Sequence, residues 1–313
     1  MDLTLAAWLE ASSDDVDVLW RRVLRRPIEP GEREATLARL DQGMSRAALL
    51  QELATSTEYE RVRLLDDAVA AAAAQRRSGG RPRNLLAPAG SDERPIEIPW
   101  CLARYAGERR VLDVGYAFAE PAYLAGLVGL GAPELTGVDL VEREVPGLRS
   151  VQADLRKLPF ADGAFDVAIA ISTLEHVGRD NTQYGLEIRA GDVERDDSLD
   201  AALRELRRVT ERLLVTVPAG AGEMLAEQAV FMPAEWVERF ERAGFLVWED
   251  EVYELGPAGW ASVTELSPGL RYGDRGPGAS AVLCAELRPR RISARLRLAV
   301  RDRRYPDDPR RAT

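Results

Sequence analysis

The chain has 313 residues, of which 46% are hydrophobic and 30% charged, with a formal net charge of -10. That apolar share supports a core and excludes disorder over most of the length, while the acidic balance argues against nucleic acid as a partner. No run approaches the roughly 18 apolar residues of a membrane helix, and Met1-Asp2-Leu3 lacks the basic start of a secretory signal, so a cytoplasmic protein without a membrane span is expected.

From Leu3 to about Gln75 apolar residues recur at three- and four-residue spacing, as in Val16, Leu19, Trp20 and Val23 and again in Leu49, Leu50 and Leu53, which predicts helices. Pro27 and Pro30 with Gly31 are expected to break the second helix, and Gly43 to end the third. Ser45 is the expected N-cap for residues 46–54, and Thr55 or Ser56 for the helix after it, which the run Ala70 to Ala74 prolongs. Arg76 to Arg83, with Gly79, Gly80 and Pro82, then reads as a flexible linker. The expected division is a helical module over 1–75, a linker over 76–92, a second domain over 93–288 and an Arg-rich tail over 289–313.

Beyond the linker, short apolar runs alternate with helical or turn-rich stretches: Arg110 to Val114, Leu135 to Val138, Ser150 to Ala153, Val167 to Ile171 and Leu213 to Val217. Such alternation predicts a parallel sheet covered by helices on both faces. Phe245 to Tyr253 and Ala279 to Leu287 are expected to add an antiparallel hairpin at the sheet edge. Cys101 and Cys284 stand far apart in apolar surroundings, which predicts two buried thiols and no metal site.

In an open parallel sheet a ligand lies outside the carboxyl ends of the strands, so the residues ending each run are read together. The first run ends in Asp113-Val114-Gly115-Tyr116-Ala117-Phe118-Ala119, where Gly115 permits a tight turn and the alanines leave room for close approach. The second ends in Asp139-Leu140, a carboxylate able to accept two ribose hydroxyls, and the third in Asp154-Leu155, suited to an adenine amino group. Taken singly, each carboxylate can instead cap the next helix. Asp166 precedes its strand and is assigned to structure.

This ordered set resembles the class I S-adenosylmethionine-dependent methyltransferases, through the blocks VLDVG, GVDL, ADLRKLPFADGAFDVAIAISTLEHVG and RLLVTVP. The resemblance spans roughly residues 94–287 and implies an α/β, Rossmann-like methyltransferase fold with a mostly parallel sheet, added to the all-α N-terminal domain. It implies S-adenosylmethionine as cofactor, held by Asp113, Gly115, Tyr116, Ala117, Asp139, Leu140, Asp154, Leu155 and Ser172, with Ser172 beside the transferable methyl. The usual G-x-G-x-G loop here reads Gly-Tyr-Ala-Phe-Ala, and alanine serves there only at negative φ. The N-terminal segment LWRRVLRRP, with GMSR and STEY after it, is similar to the small helical DUF4214 domain, which implies a docking or oligomerising module and no chemistry.

His176, the only histidine, follows the strand end nearest the expected methyl group, and its pKa suits removal of a proton from a hydroxyl acceptor. With Glu175 it forms the catalytic candidate pair; the alternative is that it orients the loop. The polar stretch Gly178 to Leu199, with Asp180, Asn181 and Tyr184, reads as a lid or acceptor-binding segment, and its acidic residues match no metal template. The insertion Gly256 to Gly278 brings Trp260 and Tyr272 as further acceptor-pocket candidates, and Pro95 to Trp100 is the remaining wall. The expected reaction is methylation of an oxygen or nitrogen on a small polar acceptor, with a saccharide or natural product favoured. Two other classes stay open: a non-catalytic scaffold with a weakened cofactor loop, and an NAD-dependent oxidoreductase, whose G-x-G-x-x-G fingerprint is missing.

Overall fold

The structure, a computed structural model, describes residues 9, 16–186, 197–276 and 278–290. Four helices open it: α1 (Asp17–Val23), α2 (Pro30–Asp41), α3 (Arg46–Ala54) and α4 (Thr57–Arg77). Ser45 and Ser56 cap α3 and α4 by accepting the Ala48 and Tyr59 N–H groups. Pro30 begins a helix where the sequence reading has it break one. At the first helical position the missing N–H costs nothing, and Glu29 and Glu32 close a capping box around it. Val16, Leu19, Trp20, Val23, Leu24, Ile28 and Leu49 form a small separate core.

The second half of α4 leaves that core. Leu65 and Ala72 are buried together with α5 (Arg94–Leu102) and α6 (Pro121–Val128). Val69 sits so close to Gly126 that a Cβ there would lie 2.7 Å from its Cγ1. The stretch expected to be a flexible linker is likewise pinned. Arg81 pairs with Glu286 at 3.2 Å and Arg83 with Glu249 at 2.6 Å, and the Asn84 and Leu85 N–H groups donate to Glu251 and to the Tyr253 hydroxyl.

The sheet contains β1 (Arg110–Val114), β2 (Glu134–Asp139), β3 (Arg149–Gln152), β4 (Val167–Ile171) and β5 (Leu213–Pro218), parallel in the order β3-β2-β1-β4-β5. β6 (Glu223–Met224) and β7 (Ala229–Val230) form a small hairpin apart from it. β8 (Phe245–Gly256), β9 (Gly259–Val263) and β10 (Ala281–Pro289) extend it antiparallel, with β10 inserted between β5 and β8. The expected hairpin strands do pair, but β9, from the Gly/Pro-rich insertion, forms the edge. α5 and α6 cover one face, and α7 (Ser198–Val209) and α8 (Pro233–Arg242) the other. The chain reverses its direction of strand addition between β1 and β4, and at such a switch point the crossovers diverge and open a crevice.

Both cysteines are buried and unbonded. Among the described residues no helix is long and apolar enough to cross a membrane, and no His, Cys, Asp or Glu group is placed to hold a metal. Arg189, Asp192, Glu194 and Asp196 of the expected lid, and the tail beyond Arg290, lie outside the described residues.

Candidate active site

At the end of β1 the backbone turns through Gly115 at φ 87°, and a Cβ there would reach within 2.3 Å of the Thr173 Oγ1. Glycine is therefore required by conformation and by space. The alanines of the loop need no such exemption: Ala119 has φ -69°, and Ala117 is not among the described residues of positive φ. The Ala117 N–H donates to the Asp139 carboxylate at 3.0 Å, so the loop and the end of β2 are tied together, and burial raises the Asp139 pKa.

Asp113 is buried, and its Oδ2 accepts the Tyr123 hydroxyl proton while Oδ1 has no partner. Burial pushes its carboxyl up to about 7. Asp113, Gly115, Asp139, Leu140, Asp154 and Leu155 line one cavity, with Ser172, Asn181 and Tyr184 at its other side. Burial would raise Asp154, but the Arg156 guanidinium at 2.6 Å holds it below its ordinary value. Tyr116 does not join that lining. It is fully buried, its ring lies under Gly137, and its hydroxyl accepts the Arg143 N–H at 3.1 Å, so it supports the loop from behind.

Ser172, at the end of β4, is held at φ 43°, a conformation costly for any residue but glycine. Its N–H donates to the Thr216 carbonyl at 3.0 Å and its Oγ to Glu97 Oε1 at 2.8 Å. Glu97 in turn pairs with Arg94 at 2.7 Å, and Arg94 reaches Glu120 at 3.3 Å. Glu97 falls within the wall expected over Pro95 to Trp100, but Glu93 and Arg94 were not legible as site residues. The only trace of them in the sequence is a set of charges on a proline-punctuated, otherwise apolar segment, Glu93-Arg94-Pro95-Ile96-Glu97-Ile98-Pro99-Trp100.

His176 and Glu175 occupy one helical turn after β4. The His176 Nδ1 lies 2.7 Å from the Glu227 carbonyl oxygen, which only accepts, so Nδ1 carries the proton and Nε2 keeps its lone pair. Burial lowers the His176 pKa. Glu175 is buried 4.0 Å from Nε2, and burial raises its carboxyl to about 8. A second cavity opens here, lined by Glu93, Glu175, Glu227, Gln228 and Tyr272; Arg94, Ser172, His176 and Tyr184 belong to both cavities. Trp260 and Asp180 are not brought to either. Trp260 is buried on β9, where Gly259 presses against the backbone at Ala87 and the indole N–H donates to the Ser91 carbonyl. The Asp180 side chain turns back to accept the Thr182 N–H at 2.9 Å.

Residues 112–212, the segment carrying the glycine turn, the Asp139 and Asp154 strand ends and the Ser172–His176 turn, match the family model described as a methyltransferase domain. This segment is similar to a methyltransferase domain. No protein of curated function matches it. Among solved structures, the cyclase SpnF is similar at 17% identity over 72% of this chain and 94% of that one, with a TM-score of 0.41. The 1,6-didemethyltoxoflavin-N1-methyltransferase of Burkholderia thailandensis, with S-adenosylhomocysteine bound, matches at 15% over 84% and 92%, with a TM-score of 0.39. An S-adenosylmethionine-dependent methyltransferase from Mesorhizobium loti matches at 16% over 64% and 98%, with a TM-score of 0.39. S-adenosylmethionine is the cofactor that the sequence resemblance implies. The first cavity suits it chemically, because the unpartnered Asp113 Oδ1 is an acceptor waiting for a cationic donor and Asp139 offers a carboxylate to hydroxyls.

Proposed function

We propose that this methyltransferase moves a methyl group to an oxygen or nitrogen of a small polar acceptor of the saccharide or natural-product class. The observation that carries the reading is the meeting of two cavities of different character at Ser172, His176 and Tyr184, one largely apolar at the strand ends and one walled by polar side chains. When bound, S-adenosylmethionine supplies a methyl on a sulfonium, which needs no metal to leave. Asp113 would take the ammonium of the methionine part and Asp139 the ribose hydroxyls, while Leu140, Asp154 and Leu155 face the adenine. The unprotonated His176 Nε2 is a base for an acceptor hydroxyl, and Glu175 orders the polar chamber beside it. Asn181, Tyr184 and Tyr272 would hold the acceptor. Alignment of the acceptor with the sulfonium supplies the remainder of the rate. We read the N-terminal helices as a DUF4214-like docking or self-association module that takes no part in the chemistry.

The test is release of S-adenosylhomocysteine and transfer of labelled methyl from S-adenosylmethionine to a panel of saccharides and small polar natural products. Transfer to at least one panel member is expected, and its loss in His176→Ala. Tight cofactor binding with no transfer to any member would contradict the enzyme reading and favour a scaffold.

A further inference from the structure

The second cavity has more carboxylates than it can neutralise. Glu93, Glu175 and Glu227 line it against a single guanidinium, Arg94, which Glu97 and Glu120 already engage. The other groups facing it, His176, Tyr184, Gln228 and Tyr272, carry no positive charge at neutral pH, since burial lowers His176. Two of the carboxylates are also incomplete. Glu93 is 9% exposed and Glu175 2%, and in each Oε2 makes no hydrogen bond. A buried acceptor without a donor is costly, so a fold retains such a pair at a cavity wall where something else supplies the protons. The wall is also trimmed to leave Glu93 its place: a Cβ on Gly278 would come within 2.8 Å of that same Oε2.

From this arrangement we infer that the chamber beside His176 seats a protonated amine of the acceptor, held between the free oxygens of Glu93 and Glu175. The inference rests on the methyltransferase reading and narrows it to an amine-bearing acceptor. An ammonium offers three donors and a charge, which answers both the missing hydrogen bonds and the excess of carboxylates. The unpartnered Gln228 Nε2 adds a donor for an oxygen next to that amine. Burial raises Glu93 to about 7 and Glu175 to about 8, so ammonium binding at neutral pH displaces protons from them to solvent.

The experiment uses the full chain loaded with S-adenosylhomocysteine and three matched pairs of probes, ethanolamine with ethylene glycol, glucosamine with glucose, and cyclohexylammonium with cyclohexanol, read by ligand-observed NMR and by calorimetry in buffers of different ionisation heat. At least one ammonium member should bind and release protons while its neutral partner does not. Glu93→Gln and the double variant Glu93→Gln/Glu175→Gln should weaken that ammonium by at least about tenfold, and Glu93→Gln should leave S-adenosylhomocysteine affinity unchanged, showing the fold intact. Neutral partners binding as well as the ammonium probes, or no ammonium probe binding to the loaded protein, would overturn the inference. Failure of S-adenosylhomocysteine itself to bind would strike the underlying reading instead.

Discussion

His176 is built to accept a proton. Its Nδ1–H is committed to the Glu227 carbonyl, and burial holds its pKa below the ordinary histidine value, so the neutral, basic form persists to lower pH than it would in water. With a hydroxyl acceptor the rate should therefore fall as pH drops, with a midpoint below about 6.5. His176→Ala should lower kcat by about 100-fold or more with little change in S-adenosylhomocysteine affinity; unchanged turnover would remove the base. Asp139→Ala should weaken S-adenosylhomocysteine by about 1–3 kcal/mol in titration calorimetry, because ribose hydroxyls lose their acceptor, and an unaltered affinity would unseat that role. The strand-end residues Gly115, Asp139, Asp154 and Ser172 were legible because each ends a short apolar run, and topology alone puts such ends together. Glu93 and Arg94 lie just before and at the start of α5, and although the sequence reading put a pocket wall at Pro95 to Trp100, nothing local says that these two charges belong to it. Trp260 misled for the complementary reason. An aromatic in a Gly/Pro-rich insertion reads as a pocket wall, but here it becomes the buried member of an edge strand.

At the scale of elements the clearest departure is the segment after α4. Its Arg, Gly and Pro composition is that of a linker, yet Arg81 and Arg83 find Glu249 and Glu286 on β8 and β10, partners distant in sequence. Such pairing is invisible to any local pattern. The consequence is that α4 packs on α5 and α6 while the strap is tied to β8 and β10, so both belong structurally with the sheet. A chain begun at Leu85 should expose Leu102 and Leu127 and aggregate or melt well below the full chain, whereas one begun at Thr55 should keep a cooperative transition and bind S-adenosylhomocysteine. Equal melting of the two truncations in differential scanning calorimetry would show that α4 is dispensable. The caps, by contrast, were readable, since Ser45 and Ser56 do locally what their side chains favour.

For the whole molecule, buried carboxyls set an uncommon dependence of stability on pH. Burial raises Asp113 and Glu93 to about 7 and Glu175 to about 8, above their unfolded values, so the folded chain binds protons that the unfolded chain releases. Their destabilisation is absent below the ordinary carboxylate range, grows as pH rises through it, and is complete above about 8. Glu32, held at about 2 chiefly by its hydrogen bond to Arg26, acts in the opposite sense, and its contribution is lost as pH falls below the same range. The melting temperature of the ligand-free protein should thus peak near about pH 5 and decline toward pH 8, and a flat profile over that interval would contradict the assignment of these groups as buried carboxyls without a neutralising cation. The overall architecture was legible because the alternation of strand and helix specifies a parallel sheet, while the insertion of β10 beside β5 was not, since antiparallel neighbours leave no mark of their order in a single sequence. The central claim is that the strand ends of β1, β2 and β4 form the cofactor site of a methyltransferase. Equilibrium dialysis of the folded full chain against S-adenosylhomocysteine tests it most directly: the account predicts one site per chain with micromolar or tighter affinity, and a folded protein that retains none of the ligand would contradict it.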